Sequence, residues 1–230
     1  MKRIRIALVG DFDEKISTLV RLKQSIEHCR HQVPFELDAT WVSTDSVEKI
    51  LTMPNDHHGI WIVPGSPYKN DAGVYQVIQM ARENDVPIMG SCGGFQYMIL
   101  EYATNVLKIK DAGHEEINSK AVPVISKLSC SLKGQEELVL IPDKRSWLYK
   151  VLGMESITGK YYCSYGLNPA FQERLNLSPF VFTAFSPTGE VRAFELITHR
   201  FFKGTLFQPS LDSSLGNPNP LITSFFEACS

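Results

Sequence analysis

The first 107 residues alternate short apolar runs with segments of helical spacing, four times over, and this alternation limits the fold more than any other feature. Residues 4–9 form a nearly continuous apolar run that stops at Gly10, as a parallel strand buried on both faces would. Ile16, Leu19, Val20, Lys23 and Ile26 then follow helical spacing. Residues 35–42 alternate as a second strand, and 44–51 read as a short helix with Thr44 at its N-cap. A third strand at 60–63 closes on Pro64-Gly65, and a helix at 72–84 turns Val74, Ile78 and Ala81 inward. A fourth strand spans 86–89, and a helix runs from 93 to 107. The pattern predicts an α/β fold: a mostly parallel central sheet with right-handed crossovers and helices on both faces.

After Lys110 the pattern changes to short strand candidates. Ser186-Pro187-Thr188-Gly189 is a turn between runs at 181–185 and 191–196, which predicts a small antiparallel extension. Residues 204–207 form a late strand able to rejoin the sheet, and 221–229 close the chain as a helix. With no linker, repeat or low-complexity stretch, one domain over 1–230 is expected.

A chain of 230 residues with 43% apolar content buries one large core. Its net charge of −2 and lack of a basic stripe argue against nucleic acid as a partner. No apolar run reaches the ~18 residues of a membrane span. The basic start at Lys2-Arg3 leads into a run too short for a signal peptide, so a cytoplasmic setting is expected. The five cysteines at 29, 92, 130, 163 and 229 are odd in number and widely spaced, without C-x-x-C, which predicts neither a disulfide framework nor a metal site. Without a P-loop signature no nucleotide cofactor is implied. Four of these thiols read as inert; Cys92 is different.

The segment 86–96 reads strand, Gly90-Ser91-Cys92-Gly93-Gly94, helix. A nucleophile on a sharp strand-to-helix turn sits in strained φ/ψ, and side chains two residues away on either side would collide with it. Such a turn exposes the sulfur at a helix N-terminus, whose partial positive charge favours thiolate. The alternative for the same residues is a buried cysteine in a glycine-rich turn.

From here the chain resembles the class I glutamine amidotransferase family, and within it the glutaminase domain of CTP synthase, from about residue 4 to residue 228. Ile4-Arg5-Ile6-Ala7-Leu8-Val9-Gly10 is similar to its opening strand, and Gly59-Ile60-Trp61-Ile62-Val63-Pro64-Gly65 to the strand before its oxyanion loop. Gly90 to Gln96 resembles the G-x-C-x-G-x-Q segment, and Glu101-Tyr102-Ala103-Thr104-Asn105-Val106-Leu107 the helix after it. Tyr165-Gly166-Leu167-Asn168-Pro169 stands where the family has Y-E-V-N-P, and Ser186 to Gly189 and His199-Arg200-Phe201-Phe202 also have counterparts. The resemblance implies a flavodoxin-like three-layer fold. It implies Cys92 as nucleophile, Gly93, Gly65 and Ser66 as oxyanion donors, and Gln96 and Glu116 as residues holding glutamine. The absence of a synthase half implies a stand-alone relative that works with a synthase partner or as a homo-oligomer.

The departures from the family are equally specific. Its histidine and glutamate appear as H-P-E on the late strand, where this chain has Gln208-Pro209-Ser210. The oxyanion loop reads Gly65-Ser66-Pro67-Tyr68, and Ser164 and Gly166 replace an arginine and a glutamate beside Tyr165. Histidine acts in glutamine hydrolysis as base and then as acid, and glutamine has no proton to exchange. Weak or absent glutamine hydrolysis is therefore expected. Three roles stay open: residual amidotransferase chemistry, a small-molecule-binding or regulatory module, and a thiol hydrolase for another acyl substrate. His114, beside the segment that the resemblance assigns to glutamine binding, is the candidate replacement base, though an exposed loop histidine is the simpler reading. His199 reads as structural, and His28, His31, His57 and His58 as surface residues. Phe171, Phe180, Phe182 and Phe185 read as core, and Lys144-Arg145 as a solvated turn.

Overall fold

A computed structural model describes residues 1–53, 56–177 and 179–230. The strands are β1 (Arg3–Val9), β2 (Glu36–Val42), β3 (Gly59–Ile62), β4 (Ile88–Ser91), β5 (Ala112–His114), β6 (Val122–Lys127), β7 (Glu136–Leu140), β8 (Ser156–Lys160), β9 (Tyr165–Leu167), β10 (Phe180–Phe185), β11 (Val191–Leu196) and β12 (Phe202–Thr205). The helices are α1 (Ser17–Arg30), α2 (Glu48–Thr52), α3 (Asp71–Glu83), α4 (Gly93–Asn105), α5 (Trp147–Leu152), α6 (Gln172–Leu175) and α7 (Pro220–Ala228). The main sheet has nine strands in the order β2-β1-β3-β4-β12-β11-β10-β7-β8, and β5, β6 and β9 form a second, three-stranded sheet.

Strands β2, β1, β3, β4 and β12 are parallel, as the alternation predicted. The antiparallel part is larger than expected. Strands β11, β10, β7 and β8 continue the sheet in antiparallel pairs. The sequence hid β7 and β8 because their burial patterns, eieBe and eieBi, leave little apolar alternation to read.

From β1 the chain crosses to β2 on one side and then returns to place β3 on the other. Right-handed crossovers in opposite directions put their helices on opposite faces. Accordingly α3 packs on α4, while α7 packs on α1 and α5. Strands β1, β3, β4 and β12 carry the central core: Ile4, Ile6, Ile60, Trp61, Ile88, Met89 and Phe202 are all buried. Each such side chain contributes roughly 1.5–3 kcal/mol by leaving water. Helix α4 is fixed further by Arg82, which donates to Glu101 Oε2 from Nε at 2.9 Å and to Oε1 from its terminal nitrogen at 2.7 Å. Glu101 is buried, so this fork-to-carboxylate pair holds α3 and α4 in one register.

Local expectations differ in detail. Helix α1 buries Leu19, Leu22, Ile26 and Cys29, while Ile16 is exposed. Thr44 caps no helix: its hydroxyl donates to Asp11, and Ser43 precedes a 3-10 turn there. Among the described residues no helix is long and apolar enough to cross a membrane.

Candidate functional site

Strand β4 ends at Ser91 and α4 begins at Gly93, so Cys92 occupies the turn between them with φ 54° and ψ −109°. L side chains rarely adopt that conformation, and a tight frame holds it here. The Cys92 N–H donates to the Thr205 carbonyl at 3.0 Å, and its carbonyl accepts from the Gln96 N–H at 3.2 Å. A Cβ on Gly90 would lie 2.5 Å from Met98 Sδ and 2.7 Å from the Gly94 carbonyl carbon. A Cβ on Gly94 would strike the Ile62 carbonyl oxygen. These are the two positions where the sequence argument required glycine.

The loop after β3 closes over this turn. A Cβ on Gly93 would lie 2.7 Å from the Gly65 carbonyl oxygen, the Gly65 atom nearest to it. Ser66 Oγ donates to Gln96 Oε1 at 3.3 Å, and Tyr68 Oη to the Val63 carbonyl at 2.6 Å. Loops from the carboxyl ends of β1, β3, β4 and β12 thus meet at one sheet edge, where open α/β sheets hold ligands. The cleft there has a volume of about 890 Å³, and its lining includes Ser66, Cys92, Gln96, Glu116, Cys163 and Gln208.

Cys92 is only 7% exposed, contrary to the exposure expected of an elbow. The segment between β8 and β9 covers it, held by Leu132 N–H to the Cys163 carbonyl and Leu128 N–H to the Ser164 carbonyl, both 2.9 Å. This segment brings Cys163, read from sequence as inert, into the same cleft as Cys92. The Cys163 thiol is the strongest influence on the Cys92 sulfur and lowers its pKa; burial opposes this, and the Gly93 N–H and Gln208 side chain add to the lowering. Cys163 responds in the opposite direction, first through Cys92 and then through burial. Cys92 therefore ionises first, with Cys163 keeping the proton. The one signal for Cys163 was its place two residues before Tyr165, next to the segment that stands where the family has Y-E-V-N-P.

Strand β12 runs parallel to β4 with Thr205 opposite Ser91, so residue 208 arrives beside Cys92. Gln208 and Ser210 are both buried at 1% exposure. Among the described residues, neither Gln208 Oε1 nor Ser210 Oγ has a hydrogen-bond partner. No relay links the two side chains, and neither titrates near neutral pH.

His114 corrects the exposed-loop reading. It is 3% exposed at the end of β5, its ring 5.0 Å from that of Tyr165 and tilted by 49° to it. Its Nδ1 accepts from the Glu116 N–H at 3.2 Å, which leaves the proton on Nε2 to donate to Gln96 Oε1 at 3.2 Å. Gln96 Nε2 then donates to the Tyr165 carbonyl at 2.8 Å. Burial pushes the His114 pKa down to about 4. The ring orients Gln96 and has both nitrogens engaged, so it is no base for Cys92. Glu116 sits exposed at the cleft rim. His199 is buried, with Nε2 on the Ala81 carbonyl and Nδ1 accepting from the Phe201 N–H. His28, His57 and His58 are half-buried rather than fully exposed; His28 pairs with Ser213 and His58 accepts from the Arg5 N–H.

Comparisons with known proteins agree with this geometry. The family model for glutamine amidotransferase class-I matches residues 18–146, more than half of the chain. CTP synthase of Sulfolobus acidocaldarius is 28% identical over 243 aligned positions, covering 100% of this chain and 46% of that protein. CTP synthase of Methanopyrus kandleri is 29% identical over 241, with 98% and 45% covered. The chain thus spans about half the length of the curated relatives it matches. Among solved structures, the Trypanosoma brucei CTPS glutaminase domain with bound acivicin superposes with a TM-score of 0.90 at 26% identity, covering 98% of this chain and 93% of that one. A glutamine amidotransferase of Thermotoga maritima shares the fold at a TM-score of 0.59 and 10% identity, covering 90% of this chain and 76% of that one. The chain belongs to the class I glutamine amidotransferase family and has the fold of the CTP synthase glutaminase domain.

Proposed function

We propose that this chain binds a small glutamine-like amide beside Cys92 and hydrolyses glutamine far more slowly than an intact amidotransferase does. The supporting observation is Gln208, buried next to the sulfur where the family resemblance calls for histidine. The initial attack by Cys92 needs only thiolate, and the neighbours of the sulfur favour thiolate. Expelling ammonia and hydrolysing the thioester need a proton carrier, and neither Gln208 nor the fully engaged His114 supplies one. Loss of such a group costs on the order of 10³–10⁶ in kcat.

Two measurements on purified protein test this reading. Intact mass after incubation with acivicin, the ligand of the trypanosomal domain, reports whether the pocket accepts a glutamine-like electrophile at Cys92. Ammonia release from glutamine reports turnover. The expected result is a Cys92 adduct with ammonia release barely above background. Turnover near ~1 s⁻¹, the low end of ordinary enzymes, overturns the proposal.

A further inference from the structure

Acyl transfer uses one thiol, yet this cleft holds two. Cys92 and Cys163 lie 71 residues apart in sequence, both line the same cleft, both are buried, and each is the leading influence on the ionisation of the other. Cys29 and Cys229 are buried elsewhere, against Thr223 and the Phe225 carbonyl, and Cys130 is exposed. Cys163, the Gly93 N–H and Gln208 favour the Cys92 thiolate, and none of them carries a mobile proton at neutral pH. That set suits chemistry needing a stable thiolate and no histidine. We infer that Cys92 and Cys163 form a redox site for small hydroperoxides, with Cys92 as the attacking thiol and Cys163 as the resolving one.

The steps balance as follows. The Cys92 thiolate attacks the terminal oxygen of a hydroperoxide; an S–O bond forms and the O–O bond breaks. The alkoxide (hydroxide, for hydrogen peroxide) leaves and takes a proton from water, and Cys92 becomes a sulfenic acid, oxidised by two electrons as the peroxide is reduced. The Cys163 thiol then attacks the Cys92 sulfur, forming the S–S bond and releasing the sulfenic hydroxyl with the Cys163 proton as water. An external dithiol returns both residues to thiols by exchange. The pair is built for this order. The thiolate of Cys92 is the leading reason Cys163 holds its proton, with burial second. Once Cys92 is a neutral sulfenic acid that restraint is gone, and Cys163 ionises more readily to attack it. Cys163 sits in an irregular segment between β8 and β9, able to make the short closing movement without breaking a strand.

The site shares Cys92 with the proposed function but not its ligand, so acivicin labelling and disulfide formation succeed or fail separately. The test uses the full chain carrying Cys130→Ser, which removes the exposed thiol. One equivalent of cumene hydroperoxide is added, free thiols are blocked, and intact mass and peptide mapping follow. The expected product has lost two hydrogen atoms, contains a Cys92–Cys163 link, and reverts with dithiothreitol. In the unmodified chain Cys92 should be consumed at least about tenfold faster than Cys130, as a thiolate-favouring environment requires. Cys163→Ser should stop at a sulfenic acid trapped by dimedone, and then progress to sulfinic acid. Should Cys163→Ser fail to fold, mapping of the protein with both thiols decides the matter. Oxidation of Cys92 straight to sulfinic acid without the link, or oxidation no faster than at Cys130, overturns the inference.

Discussion

The two walls that meet at Cys92 follow different rules. On the elbow side, β4, the turn and α4 fit with no slack: Gly90 and Gly94 leave no room for a methyl group, and Ser91 Oγ accepts from Trp61 Nε1 at 3.1 Å. On the facing side, Gln208 Oε1 and Ser210 Oγ are buried with no hydrogen-bond partner among the described residues, and Cys163 lines the same cleft as the sulfur. The strand-to-helix turn around Cys92 is fixed by backbone contacts, while the facing wall is made of uncharged side chains at 208 and 210. A backbone device is set by sterics that every neighbour enforces, whereas a side-chain device changes one residue at a time.

The largest expected effect breaks the elbow side. In Gly94→Ala the new methyl meets the Ile62 carbonyl oxygen, part of the backbone of a central strand, so relief requires β3 and α4 to separate. Overpacking of this kind costs about 3 kcal/mol. Urea unfolding should show that loss. A variant as stable as the parent would mean that the close approach of α4 to β3 is not a constraint, and the contrast between the walls would fail.

The elbow was legible because its information is local: glycines at fixed offsets from one cysteine, between a strand pattern and a helix pattern. The parallel half of the sheet was legible for a similar reason. The facing wall depends on contacts between distant segments. Residue 208 was placed by resemblance, but Cys163 reaches Cys92 only when the stretch between β8 and β9 folds over the sheet edge. His114 lies on a three-residue strand, too short to carry a burial period, so its buried place beside Gln96 left no trace in the sequence.

That histidine gives the next effect. Its folded pKa of about 4 lies below the ~6.5 of an unfolded chain. Between those values the unfolded state binds more protons, so the contribution of His114 is full above the unfolded pKa and is lost as pH falls towards the folded one. From about pH 7 to about pH 5 the loss is ~2 kcal/mol. Burial also lowers His57, His58 and His199, which adds a background of the same sign. His114→Gln isolates the effect: its urea midpoint should fall less between those pH values than the parent's. Equal slopes would mean that His114 is not held neutral against Gln96.

The smallest effect measures how much of the thiolate belongs to each wall. The Gly93 N–H comes from the elbow and is untouched by side-chain substitution, while Cys163 and Gln208 come from the facing wall. A hydrogen bond to a charged group is worth roughly 1.5 kcal/mol, about tenfold in thiolate population. Cys163→Ala removes the leading partner of the sulfur, so the Cys92 pKa should rise and alkylation near neutral pH should slow by about that factor. Gln208→Leu removes the weakest of the three and should slow alkylation in the same direction by less. The order follows from which neighbour contributes most to lowering the pKa, and stopped-flow alkylation across a pH series reads it directly. If Gln208→Leu matches or exceeds Cys163→Ala, the amide rather than the second thiol governs Cys92. If neither variant moves the profile, the elbow alone sets the thiolate, through the Gly93 N–H and the start of α4, and the facing wall has no share in activating the sulfur.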